Sequence, residues 1–202
     1  MYNKILEIRL YKRGQSDVFM CRILKSIKGK TARELLEKYN ISPEPPINLT
    51  RLLQNAGISA VEFDFSELEK YGNYELGTIL GAAISNEENL TIFYRKDDSE
   101  NRKRFTIAHE LAHCCLHSEN LKENHIELRN NDNNQPQREI EANIFAGELL
   151  IPKESLEKIY NELLVPYLST LAEIFGVSSN VMAARLDYLN KPYLKDTEYS
   201  YS

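Results

Sequence analysis

Residues Phe105 to His117 read FTIAHELAHCCLH and hold three of the chain's four histidines, each four residues from the next. Four residues make about one turn of an α-helix, so His109 and His113 project from one face, one above the other. Phe105, Ala108, Ala112 and Leu116 supply apolar packing at helical spacing, and neither Pro nor Gly interrupts the run. The stretch is therefore read as a packed helix carrying His109-Glu110-Leu111-Ala112-His113, an HExxH sequence. Two imidazoles so placed can ligate one Zn²⁺ at about 2.0–2.1 Å each, and Glu110 lies beside them to take a proton from a polarised water.

A catalytic zinc normally has a third protein ligand. The metzincin pattern would need glycine at 116 and histidine at 119, where this chain has Leu116 and Glu119. His117 drifts about 80° around the helix from His109, which makes three ligands on one straight helix strained. His125 falls in a polar, Asn-rich run at 118–137 and reads as a surface histidine. Cys114 and Cys115 point about 100° and 200° away from His113 and read as buried small side chains. A carboxylate on the next helical segment, REIEANIFAGELL (138–150), is the better candidate. Glu141, Phe145 and Glu148 share a face there, while Glu139 lies about 200° from Glu141 and is expected to face elsewhere. Spacing alone leaves Glu141 and Glu148 open.

Outward from these helices, ISPEPPIN at 41–48 is the clearest break, because three prolines in four positions cannot continue a helix. Before it, TARELLEKYN opens on a capping-box pattern, Thr31 with Glu34 three residues on. After it, Asn48 and Gly57 bracket a short helix. ISAVEFDF reads as a strand, and LGTILGAAIS with NLTIFYRK as a hairpin about Asn86 to Glu88. More helices fill 153–190. Small sheet first and helices later give an α+β class. The expected division is a basic helical extension at 1–43, a metal-site domain at 44–152, a helical segment at 153–190 and a loose tail at 191–202. Residues 1–60 hold eleven Lys/Arg against five Asp/Glu, yet the whole chain carries −5. Without interleaved aromatics that basic front reads as solvated helix faces.

No apolar run reaches the roughly 18–20 residues that span a bilayer. The opening MYNKILEIRLYKRG is too charged for a secretory leader. Three cysteines, two of them adjacent, suit free thiols in a reducing cytoplasm.

Three blocks make the sequence resemble the ImmA/IrrE family of zinc metallopeptidases: RFTIAHELAHCCLH, EIEANIFAGELLIP, and the weaker PPINLTRLLQNAGISAVEFD. The resemblance spans about residues 45–152. It implies a zincin-like domain with a small antiparallel sheet, Zn²⁺ on His109, His113 and Glu141, and Glu110 as catalytic base. Glu148, His117 and Asn143 become supporting residues around the ligands. It also implies cleavage of a specific protein, a helix-turn-helix repressor, in a mobile element or stress response. Twelve tyrosines leave the oxyanion-stabilising residue unchosen.

Residues 168–189 resemble a helix-turn-helix, with Ala172, Gly176, Val177 and Ser178 at the expected places. Their second helix offers Asn180 and Arg185 as the main base-reading candidates, beside Asp187, which is thin for direct DNA binding. Two other readings stand beside the peptidase: a DNA-binding or antitoxin-like regulator with a structural metal, and a metal-bound interaction protein without turnover.

Overall fold

From Ala108 to Cys115 every residue is buried. A helix that is apolar or small-sided all round must be wrapped on several sides, and the computed structural model wraps it with a sheet and other helices. The structure describes residues 21–66, 70, 79–85, 88–118 and 136–195. Expectations for residues 1–20, for His125 and nearly all of the Asn-rich run, and for the tail from 196 lie outside the described residues.

The described elements are α1 (Arg22–Ile27), α2 (Ala32–Lys38), α3 (Leu49–Ala56), β1 (Ile58–Phe63), β2 (Gly81–Ser85), β3 (Leu90–Arg95), α4 (Glu100–Leu116), α5 (Pro136–Leu150), α6 (Lys153–Glu162), α7 (Leu168–Phe175) and α8 (Ser179–Tyr188). The α+β class follows as expected. Local signals account for many of the boundaries. Thr31 and Glu34 close a reciprocal capping box on α2. Asn48 caps α3 through the Arg51 N–H, and Gly57 ends it at φ 72°, where a side chain would be strained. Ser178 caps α8 after Gly176 ends α7 in the same left-handed region. Ser99 sits at the start of α4 without capping it by its side chain. Asn101 instead donates to the Val177 carbonyl at 3.1 Å.

The sheet has the order β1-β3-β2. β2 and β3 pair antiparallel, as the hairpin reading requires, with Ala83 opposite Ile92. β1 pairs parallel to β3, with Ala60 opposite Ile92. The sheet is therefore mixed rather than antiparallel. The hairpin was legible as two strands around a turn, but the strand that β1 joins, and its direction, are set by long-range packing.

One face of the sheet presents Ile58, Ala60, Ala83, Leu90 and Ile92 to the main core, which also holds Ala108, Leu111, Ala112, Leu149 and Leu150. The other face carries a separate cluster of Phe65, Ile79 and Ala82 with Phe63 and Phe93. Leu24, Ile27 and Leu35 from α1 and α2 join the main core, and the Gly29 N–H donates to the Cys115 carbonyl at 2.8 Å. Near the start of α4, Arg104 donates to the Gly176 and Ile47 carbonyls at 3.0 and 2.9 Å, tying the helix to the α7–α8 turn and the proline-rich segment.

Candidate metal centre

His109 and His113 stand one turn apart in the buried half of α4, and α5 crosses them in the opposite sense. Arg138 donates to the carbonyl of His117 near the end of α4, whereas Asn143, further along α5, meets His109. The histidine Nε2 atoms lie 2.9 Å apart. Glu139 brings Oε2 to 3.3 Å from His109 Nε2 and Oε1 to 3.2 Å from His113 Nε2. These three residues form a group whose donor atoms converge tightly enough to hold one metal ion.

Donors at about 2.0–2.1 Å from a tetrahedral zinc stand about 3.3–3.4 Å apart. The carboxylate–imidazole distances are close to that edge length but run to the two different oxygens of Glu139, one to each ring, and the imidazole pair is shorter by about 0.4 Å, so binding one ion would need small rotations of the rings and the carboxylate. The donor set, two imidazoles and one carboxylate, is the type that leaves a fourth position open at a catalytic zinc. Hydrogen bonds from His109 and then His113 hold the Glu139 carboxyl well below the usual carboxylate range, so it is an anion at neutral pH.

Glu110 is buried and turned towards the sheet. A β-carbon added at Gly81, the first residue of β2, would stand 2.8 Å from its Oε1 and 2.6 Å from Thr106 Cγ2. The absence of a side chain at 81 is what lets the strand lie against the carboxylate. This is the close-approach use of glycine.

The expected third ligand, Glu141, is not among the converging donors. Its Oε2 lies 2.9 Å from His117 Nε2, and its Oε1 accepts from Gln137 at 3.0 Å. The reason is helix phase: α5 turns its Glu139 edge to α4, and Glu141 lies about 200° further round. Glu148 is remote from the site. It pairs with Arg185 at 3.4 Å, nine residues and about 13 Å along α5 from Glu139. His117 is the C-cap of α4 at φ −123°, so its ring folds back onto His113, with Nδ1 atoms 3.1 Å apart. Asn143 Oδ1 lies 3.0 Å from His109 Nδ1. Cys114 and Cys115 are buried and not in a disulfide, and burial pushes Cys115 up to about 12, which keeps it from acting as a thiolate.

The helix-turn-helix-like segment has the expected turn, and of its two base-reading candidates Asn180 is exposed and Arg185 is not. Arg185 is buried, donating to the Ile151 carbonyl at 3.2 Å and to Glu148. The exposed positions of α8 are Ser179, Asn180, Ala184, Asp187 and Tyr188, none of them cationic. No described helix is long and apolar enough to cross a membrane.

The α+β architecture and the converging donors are consistent with a peptidase domain. The chain belongs to the peptidase M78 family: the family model described as the IrrE N-terminal-like domain matches residues 55–187, in agreement with the resemblance read from its motifs. That membership supports a metallopeptidase-like function. No curated protein and no solved structure matched the chain.

Proposed function

We propose that this protein is a zinc-dependent endopeptidase with a zincin-like centre, acting on one protein substrate, a helix-turn-helix repressor. The observation that carries the reading is the convergence of His109, His113 and Glu139 beside a buried Glu110, within a chain of a peptidase family. Glu139, rather than Glu141, is the proposed third ligand. When bound there, zinc supplies Lewis acidity, polarising the scissile carbonyl and lowering the pKa of a water towards about 7.

The chain's own residues do the rest. Glu110 accepts the proton of the attacking water and returns it to the departing amine. Gly81, lacking a side chain, lets β2 lie close against Glu110. Asn143 orients His109 through its Nδ1. The fit of the donor set to zinc favours turnover over a structural site, which would be closed by four protein ligands. The buried Arg185 and the cation-free outer face of α8 weigh against a direct DNA reader. Three buried, unbridged cysteines support a reducing, cytoplasmic setting.

The test is intact-mass analysis of candidate helix-turn-helix repressors after incubation with the zinc-loaded protein. A single cut by the wild type, with none by Glu110→Gln at unchanged zinc content, is the expected result. Equal cutting by Glu110→Gln would remove Glu110 as the base. Full zinc binding without any cut would favour a binding role.

A further inference from the structure

We propose that His117 and Glu141 form a positioning dyad that fixes the tautomer and ring orientation of His113. This inference rests on the metal centre proposed above. It starts from three contacts in line: Glu141 Oε2 to His117 Nε2 at 2.9 Å, His117 Nδ1 to His113 Nδ1 at 3.1 Å, and His113 Nε2 at the converging donors.

Two facing imidazole nitrogens share one proton, so the His113–His117 contact has a direction. Glu141 sets it. A carboxylate offers only acceptor lone pairs, so His117 must present Nε2–H to it. In a neutral ring that leaves a lone pair on His117 Nδ1. His113 must then carry its proton on Nδ1 and donate it to His117. In the zinc-loaded form the metal takes the place of the proton that His113 Nε2 presents to Glu139 here, and with Nδ1–H fixed towards His117 the Nε2 lone pair is the one given to the metal. The reverse polarity would put a proton on His113 Nε2 and set a lone pair of His117 against the carboxylate of Glu141.

Gln137 donates to the other oxygen of Glu141, which holds the carboxylate in register. The backbone serves the same end. α4 stops at Leu116, and His117 as its C-cap sets its ring 5.2 Å, centroid to centroid, from that of His113. The two ligand histidines are thus braced differently: His109 by an amide oxygen on α5, His113 by a histidine–carboxylate pair that joins the end of α4 to the start of α5. Outer partners of this kind raise ligand basicity and are typically worth about 10–100-fold in metal affinity.

The experiment is a zinc competition titration with a chromogenic chelator on wild type, Glu141→Ala, His117→Phe, His117→Asn and Glu139→Ala, with ¹⁵N spectra of the histidine rings in the zinc-loaded proteins. Glu141 is nearly half exposed, so Glu141→Ala folds even if His117→Phe does not. Expected are losses of about 10-fold in Glu141→Ala and about 10–100-fold in His117→Phe. His117→Asn, whose Oδ1 takes the place of Nδ1, should recover most of the affinity. The wild-type spectra should show His113 protonated at Nδ1 and His117 at Nε2. Wild-type affinity in both Glu141→Ala and His117→Phe, with zinc lost in Glu139→Ala, would overturn the dyad and leave the metal centre standing. Wild-type affinity in Glu139→Ala as well would overturn the metal centre and the dyad together.

Discussion

Placing one methyl group at Gly81 tests how Glu110 is held. In Gly81→Ala the new carbon would stand 2.6 Å from Thr106 Cγ2, 2.8 Å from Glu110 Oε1 and 3.1 Å from Glu110 Cγ. Carbon atoms settle at about 3.5–4.0 Å, so the Thr106 methyl must retreat by about 1 Å and the carboxylate by about half that. Both are buried, Thr106 at 2% exposure and Glu110 at 1%, so each moves against packed surroundings. Overpacking of this kind costs about 1–3 kcal/mol, and at this chain length Tm moves about 2–4 °C per kcal/mol. Tm should therefore fall by about 2–12 °C in a thermal melt. A misplacement of about 1 Å in a reacting group costs about 100-fold in rate. Repressor cleavage should accordingly drop by about 10–100-fold, while zinc binding holds, since the nearest atoms belong to Thr106 and Glu110 and not to the metal donors. Thr106→Ser in the same chain removes the nearest obstacle, so the double variant should regain Tm beyond the sum of the single changes and remain slow, because the contact with Oε1 persists. Wild-type Tm and rate in Gly81→Ala would refute the reasoning. Recovery of both in the double variant would show that the lost rate was only lost stability.

Arg185→Ala should lower stability by about 1–3 kcal/mol, the cost of leaving the Ile151 carbonyl without its charged donor, and should leave binding to a DNA fragment unchanged. Unchanged stability with loss of salt-sensitive DNA binding would return α8 to the role of reader. The Cys115 thiol gives a pH prediction. Unfolded, it loses its proton near about 8.5; folded, burial holds the proton up to about 12. Between those values the folded state binds more protons, so its stability is full below the lower value and falls as pH rises. The urea midpoint of the wild type should drop more than that of Cys115→Ala between pH 8 and 10, and equal slopes would contradict the assignment.

What the sequence made legible was whatever a short stretch decides by itself. The capping box at Thr31 and Glu34, the caps at Asn48 and Ser178, the left-handed Gly57 and Gly176, and the one-turn spacing of His109 and His113 all depend on neighbours within a few residues. What it hid was relative placement. The third donor depended on which face α5 turns to α4. Reading that face from Phe145 led to Glu141 and Glu148. The tighter signal was the run of Ala142, Ala146 and Leu150, four residues apart and buried, where small side chains admit a close helix. Glu139 lies within about 20° of Ala146 and Leu150 on the helical wheel, so it continues that stripe into the site. The same face explains Glu141. About 200° round, it escapes the inter-helix seam but meets a ring that has left α4 at its C-cap, a placement that extending the helix through His117 concealed. Arg185 shows the same limit. A cation on a recognition-like helix suggests phosphate or base contacts, but its partners, Ile151 and Glu148, lie more than thirty residues away in sequence. In each case the residue type was informative and the partner was not local. Two helices can keep their internal patterns while rotating against each other, and that rotation decides which of two carboxylates two residues apart reaches the histidines and which one braces them from behind.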